Sequence, residues 1–281
     1  MPLIPSLVAI LAGIVVLFAG GELFVGGATA LALLLGIPQI VVGLTVVSLG
    51  TSAPELFVSL FALLKGGEAT ALAASNVVGS NIFNVLVVLG LSALVMPLRV
   101  RSRLVRRDAP LLIAVSMAVW GMASGSRLTW QAGLALLVGL AINTVWEIRT
   151  AREHPENTEI DDVDAATGQS SSGALLRLSL GLLLLVLGSN VLVRGATTAA
   201  VMLGMSQTLI GLTIVAAGTS LPELVTSLVA SYRGSGDLAI GNVVGSNLMN
   251  LMLILGMCSL ASGPGGLPVD QVLVQRDLPL M

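Results

Sequence analysis

Residues 41–60 read VVGLTVVSLGTSAPELFVSL, and residues 209–228 read LIGLTIVAAGTSLPELVTSL, identical at 12 of 20 positions. Each stretch is apolar for most of its length and carries a polar hexad at its centre. In the first copy this is Gly50-Thr51-Ser52-Ala53-Pro54-Glu55, and in the second Gly218-Thr219-Ser220-Leu221-Pro222-Glu223. Apolar runs of about 20 residues are the length of a bilayer-spanning helix. An ionised side chain in the middle of such a helix costs about 2.5–3.5 kcal/mol even on insertion scales. Packing does not require an acid, so a chain that meets this cost twice, at matching places, does so for function.

The repeat extends outward from the hexads. Residues 76–84, NVVGSNIFN, match residues 242–250, NVVGSNLMN, at seven of nine positions. Upstream, Gly27-Ala28 answers Gly195-Ala196, and Gly36 and Gln39 answer Gly204 and Gln207. Downstream, Arg107-Asp108-Ala109-Pro110 answers Arg276-Asp277-Leu278-Pro279.

Composition agrees with the membrane reading. Of 281 residues 55% are hydrophobic and 10% charged, with a mean hydropathy of +0.99. A soluble domain carries roughly a quarter charged residues. The chain is therefore an all-α polytopic membrane protein, because a membrane helix satisfies its own backbone within lipid. Apolar segments at about 3–27, 38–64, 70–97, 108–124, 128–149, 173–203, 206–231 and 238–262 make about eight spanning helices. Between the fifth and sixth lies a polar linker with six acidic residues, a proline and a serine run. The organisation expected is a first half over 1–150, an acidic linker over 151–172 and a second half over 173–281. Five spans precede the second copy, an odd number, so the two copies insert in opposite orientation. Inverted repeats of this kind build transporter bundles with a site near the midplane. The first half runs on through two helices after Pro110, whereas only Leu280 and Met281 follow Pro279, so the chain reads as a ten-helix plan lacking its last two helices.

Charge sets the expected orientation. Arg99, Arg101, Arg103, Arg106, Arg107, Arg149, Arg152, Arg177 and Arg233 fall on one side, nine of the 13 basic residues. Lys65, Arg127, Arg194 and Arg276 fall on the other. The positive-inside rule then makes the linker cytoplasmic and the N-terminus external.

The hexads hold the chemistry. Pro54 and Pro222 each remove an amide donor and crowd the preceding turn, so their helices are expected to kink or unwind there. Gly50 and Gly218 ease the unwinding, which frees carbonyls near Ser48, Leu49, Ala216 and Ala217. With the hydroxyls of Thr51, Ser52, Thr219 and Ser220 and the carboxylates of Glu55 and Glu223, these make an oxygen-only donor set. Such a set suits hard cations, Ca²⁺ or Na⁺, rather than soft transition metals. Two acids that face each other repel unless a cation or protons lie between them. Ser80 and Asn84 are four residues apart, as are Ser246 and Asn250, so each pair shares a helix face. Asn76, Gly79, Asn242 and Gly245 serve either packing or ligation, Gly241-x-x-x-Gly245 being a small-residue contact pattern. Thr45 and Thr213 read as packing or backbone-bonding residues, Glu22 as interfacial, and Met249, Met252 and Met257 as packing rather than a copper path.

Several function classes are excluded. There is no basic nucleic-acid face in a chain of net charge −2, and the single Cys258 permits neither a disulfide framework nor a thiolate metal site. The only histidine, His154, lies in the linker, and no two aspartates sit mid-helix, which removes membrane-embedded serine and aspartyl protease dyads. No enzyme, no cofactor and no protein partner is expected.

The paired GTSAPE and GTSLPE hexads, each followed about 20 residues later by NVVGSN, resemble the α-repeats of the cation/calcium exchanger superfamily. The prokaryotic sodium/calcium exchanger branch is the most similar. The resemblance implies a ten-helix inverted-repeat antiporter that exchanges Ca²⁺ for Na⁺ by alternating access. Carried over position by position, it implies ligands at Thr51, Ser52, Glu55, Ser80 and Asn84 and at Thr219, Ser220, Glu223, Ser246 and Asn250. It adds backbone carbonyls from Ser48 and Ala216, and implies that the long first and sixth helices, residues 3–27 and 173–203, slide to gate access. One departure is Asn250, where the family's motif often ends in aspartate. Two carboxylates balance one Ca²⁺ and leave coupling to Na⁺, H⁺ or K⁺ open. A passive cation channel is the rival reading, distinguished by flux without a counter-ion.

Overall fold

The computed structural model describes residues 3–66, 69–98, 102–153, 170–206, 210, 213–214 and 216–281. Residues 154–169 of the expected linker fall outside these residues, as do Arg99 and Arg101. The described chain is nearly all helix: α1 (Leu3–Leu35), α2 (Gln39–Thr51), α3 (Ala53–Lys65), α4 (Leu72–Val95), α5 (Ala109–Ala123), α6 (Trp130–Glu153), α7 (Ser171–Met202), α8 (Leu221–Tyr232) and α9 (Gly236–Ala261). Among the described residues five helices are long and apolar enough to cross a membrane, or six when the bent pair α2–α3 counts as one span. α5, at 15 residues, falls below that length. Large apolar side chains point outward along most of these helices, Leu64 and Leu94 being more than 80% exposed. In water such a surface would aggregate; in lipid it is the solvated face. The chain is an integral membrane protein.

α9 is the exception and the centre of the bundle. Its most apolar window is 83% buried, against 17–39% for the other long helices. Gly241, Gly245 and Gly43 explain how tightly it packs on α2. A Cβ at Gly241 would lie 2.6 Å from the Ile40 carbonyl, and one at Gly245 2.7 Å from Leu44. Gly43 faces the Leu238 carbonyl at 2.9 Å by the same measure. Here Gly241 and Gly245 act as contact residues, one of the two roles open to Gly245.

α1 and α7 form the other close pair, and they run antiparallel. Gly13 abuts Leu192, Gly20 abuts Leu185, and Gly27 abuts Leu178; in return Gly181 meets Phe24, Gly188 meets Leu17, and Gly195 meets Ser6. The spacing is seven residues on each helix, so all six glycines line one seam where backbones touch. Small residues of this kind let membrane helices approach by van der Waals contact where no hydrophobic drive exists between them.

A charged cluster ties the N-terminal approach of α5 to the end of α6. Glu147, buried, pairs with Arg103 and with Arg107 at 2.9 Å. Asp108 lies 3.6 Å from Arg103, and the Arg107 guanidinium stacks on the Trp146 ring at 3.9 Å. A two-residue antiparallel pairing, Arg127–Leu128 with Leu267–Pro268, joins the loops after α5 and α9.

Candidate cation site

Both hexads break their helices, as the prolines require. α2 and α3 meet at 43°, with Ser52 at φ −80° and ψ 2° between them. In the second copy Ser220 takes φ −91° and ψ 9° between Ala216–Thr219 and α8. Pro54 and Pro222 each sit in the first turn of the following helix, where their missing N–H would have had no partner. Glu55 and Glu223 therefore also occupy first turns, where the helix dipole favours a negative charge.

The two copies read each other. Ser52 Oγ donates to Glu223 Oε1 at 3.2 Å, and Ser220 Oγ donates to Glu55 Oε1 at 3.0 Å. Ser80 Oγ lies 3.3 Å from Ser220 Oγ, and Ser246 Oγ lies 3.3 Å from Thr51 Oγ1. Asn76 Nδ2 donates to the Glu55 carbonyl at 3.4 Å and to Ser59 Oγ at 3.0 Å. Asn242 Nδ2 repeats this with the Glu223 carbonyl at 3.3 Å and Ser227 Oγ at 2.9 Å. Asn76 and Asn242 thus brace the turns that carry the acids. Both glutamates are wholly buried. Each has one carboxylate oxygen, Glu55 Oε2 and Glu223 Oε2, without a hydrogen-bond partner, and so do the side-chain oxygens of Asn84 and Asn250. Buried acceptors are ordinarily satisfied. These four oxygens are buried acceptors of the type that hard cations bind.

Hydrogen bonds between the copies link Ser52 with Glu223, Ser220 with Glu55 and Ser80, and Thr51 with Ser246, while Asn84 and Asn250 bond to Asn247 and Asn81 and Thr219 bonds its own segment at Ala216. The Ser48 carbonyl is not freed: it accepts the Ser52 amide at 3.0 Å, with Thr51 Oγ1 at 3.4 Å. The first copy turns through Ser52 while keeping that last helical bond. In the second copy the Ser220 amide goes to Ala217 at 3.2 Å, and the Thr219 hydroxyl donates to the Ala216 carbonyl at 3.2 Å. Thr45 bonds its own helix at Val41, 2.6 Å, which is the structural role expected of it. Glu22 pairs with Arg233 on the half-exposed flank of α1, away from the hexads.

Exposure separates the copies. Ser48, Thr51 and Gly245 are buried, whereas their counterparts Ala216, Thr219 and Gly79 are exposed or half-buried. On the α2 side the first hexad's helix packs closely on α9; in the second copy the Ala216–Thr219 segment packs on α4 and keeps more exposure.

Sequence reasoning passed over three residues. Ser189 of α7 donates to the Gly218 carbonyl at 2.5 Å and so steadies the second hexad's break. Asn81 and Asn247 lie one residue off the Ser80–Asn84 and Ser246–Asn250 faces, yet both are buried between α4 and α9. Their only sequence signal is identity across the repeat. Among the described residues no three His, Cys, Asp or Glu side chains cluster for a metal.

Residues 5–149 and 173–281 match the sodium/calcium exchanger protein family. The chain is 39% identical over 272 residues to CaxA of Alkalimonas amylolytica, covering 95% of this chain and 83% of that one. It is 31% identical over 287 residues to the sodium/calcium exchanger MaX1 of Methanosarcina acetivorans, over 89% and 81% of the two chains. A solved structure of the sodium-calcium exchanger NCX_Mj, soaked without Na⁺ and Ca²⁺, is similar with a TM-score of 0.83 at 31% identity, covering 99% of this chain and 88% of that one.

Proposed function

The chain belongs to the sodium/calcium exchanger family, and on that premise we propose that it exchanges Ca²⁺ for Na⁺ across a cell membrane by alternating access. The observation that carries this reading is the pair of buried acids, Glu55 and Glu223, each hydrogen-bonded by the other repeat's serine and each left with one orphaned oxygen. Two such charges cannot rest side by side in a low-dielectric interior without a counter-charge. One Ca²⁺, two Na⁺ or protons supply it. Because these occupants compete for the same oxygens, one leaves only as another arrives, and the two fluxes are coupled. Glu55, Glu223, Ser52, Ser220, Ser80, Ser246, Thr51, Thr219, Asn84 and Asn250 are the proposed ligands, with the Ala216 carbonyl. Ser48 is the weakest member of the set, its carbonyl already engaged.

The two halves, 1–150 and 173–281, are proposed to be inverted copies within a ten-helix plan, with the linker cytoplasmic and the N-terminus external. On that orientation the more buried α2–α9 side lies toward the cytoplasm and the more exposed Ala216 side lies outward. The glycine seam supports α1 and α7 moving as one body past the site. Coupling to H⁺ or K⁺ in place of Na⁺ uses the same ligands.

The test is Ca²⁺ uptake into vesicles driven by an outward Na⁺ gradient. Glu55→Gln and Glu223→Gln are each expected to abolish it; Na⁺-dependent uptake retained in either variant would refute the reading. Uptake that persists without any counter-ion would favour a channel.

A further inference from the structure

Between the motifs of the two copies, four asparagines form a closed set of hydrogen bonds. Asn81 Nδ2 donates to the Asn247 main-chain carbonyl at 3.3 Å, and Asn247 Nδ2 donates to the Asn81 carbonyl at 3.4 Å. Asn250 Nδ2 donates to Asn81 Oδ1 at 2.9 Å, and Asn84 Nδ2 donates to Asn247 Oδ1 at 3.1 Å. All four side chains are buried, none more than 1% exposed.

The chemistry of these bonds fixes every amide. A main-chain carbonyl can only accept, so Asn81 and Asn247 must each turn a nitrogen toward it. Their own oxygens then face the other way and must receive donors. Asn250 and Asn84 therefore turn their nitrogens inward to the ladder, which leaves their oxygens as the orphaned atoms. The segment bearing Asn250 packs against α3, which carries Glu55, and the segment bearing Asn84 packs against α8, which carries Glu223.

We infer that Asn81 and Asn247 are positioning residues that hold the amides of Asn250 and Asn84 with oxygen, and not nitrogen, toward the cation. A primary amide has two nearly isosteric ends of opposite electrostatic sense. Released from the ladder, the Asn250 nitrogen has a better partner in the orphaned carboxylate oxygen of a neighbouring acid than in anything else buried there, a charge-assisted bond. That bond would compete with the cation for the carboxylate. The ladder thus prevents the empty site from closing on its own amides. It also explains how asparagine serves at position 250: the neutral amide donates like an acid only when its orientation is enforced. This inference rests on the exchanger reading of the same site.

A double-mutant cycle tests it on the purified 281-residue chain in lipid nanodiscs, with ⁴⁵Ca²⁺ binding as the readout. Asn81→Ala is expected to weaken Ca²⁺ binding by about tenfold or more, the range of a lost bond involving charge. Asn250→Asp presents oxygen whichever way it turns, so in that background Asn81→Ala should change binding by less than about threefold. The mirror cycle, Asn247→Ala with Asn84→Asp, should behave alike and stands in if one variant fails to fold by size-exclusion elution. A void in packing would weaken binding equally in both backgrounds, and that result overturns the inference, as does an Asn81→Ala variant that binds like the parent. A parent chain that binds no Ca²⁺ removes the exchanger reading and the inference with it.

Discussion

Replacing Gly181 by alanine tests the α1–α7 seam directly. The added Cβ would lie 2.4 Å from the Phe24 amide nitrogen, 2.7 Å from its Cα and 2.8 Å from its Cβ. Ordinary contact begins near 3.4 Å, so the two helix backbones must separate by close to an ångström, and backbone cannot swing aside as a side-chain tip can. Overpacking of this sort costs about 1–3 kcal/mol. The upper end applies because the obstruction is backbone, and the better helix propensity of alanine returns up to about 1 kcal/mol. The net expectation is a loss of about 2 kcal/mol, or a fall of about 4–8 °C in the midpoint of thermal unfolding. Gly121→Ala is the matched control. Nothing lies within 4 Å of a Cβ at Gly121, so that variant keeps the propensity gain without the clash. Heating the two proteins in the same detergent and measuring the surviving monodisperse fraction gives both midpoints. Equal midpoints would refute the close approach of α1 and α7, and with it the argument that the pair is held by touching backbones.

Two further outcomes follow from the geometry. Glu147→Gln leaves Arg103 and Arg107 facing a neutral amide inside the cluster at the end of α6. Loss of one member of a buried ion pair costs about 3 kcal/mol, so the unfolding midpoint should fall by about 6–12 °C; a shift under about 2 °C would show that the cluster is solvated. Thiol labelling tests whether the exposure of Ala216 is to water: on an outward-facing reading Ala216→Cys should react with a small charged reagent about tenfold faster than the buried Ser48→Cys, because the thiolate forms only where water reaches. Mass spectrometry of the labelled chain measures this, the native Cys258 being fully buried. Equal rates would mean the two sides are equally closed.

Much of the site could be read from the chain because its signals are local. A proline beside a glutamate in an apolar run is costly wherever it occurs, and its recurrence 168 residues later located both helix breaks and both acids. Ser80, Asn84, Ser246 and Asn250 followed from helical spacing. The glycine seam was legible in principle, since residues 13, 20 and 27 recur as 181, 188 and 195. Glycine is so common in membrane helices that a seven-residue period is easily passed over. Asn81 and Asn247 were missed for a different reason. They point at each other and not at the ligands, and only tertiary pairing distinguishes a bracing amide from a packing one. Nor does any local signal fix the π-helical turns at Asn84–Leu89 and Met249–Ile254, which begin at or beside the two asparagines of the site. The difference in exposure between Ser48 and Ala216 is likewise a property of packing, arising from sequences that are nearly the same.

The crossed serine–glutamate bonds also constrain how such a chain can change. Each acid is completed by a hydroxyl encoded in the opposite half, so neither half owns a finished site. Expressed alone, either half would carry a bare carboxylate in its broken helix, with nothing to receive it. Duplicated segments ordinarily drift apart freely; these two are interlocked. A substitution at Ser52 is felt first at Glu223, and one at Ser220 at Glu55. Compensating changes should therefore arise across the interval between copies, not beside the original lesion. The duplication that made two hexads also removed the independence of each.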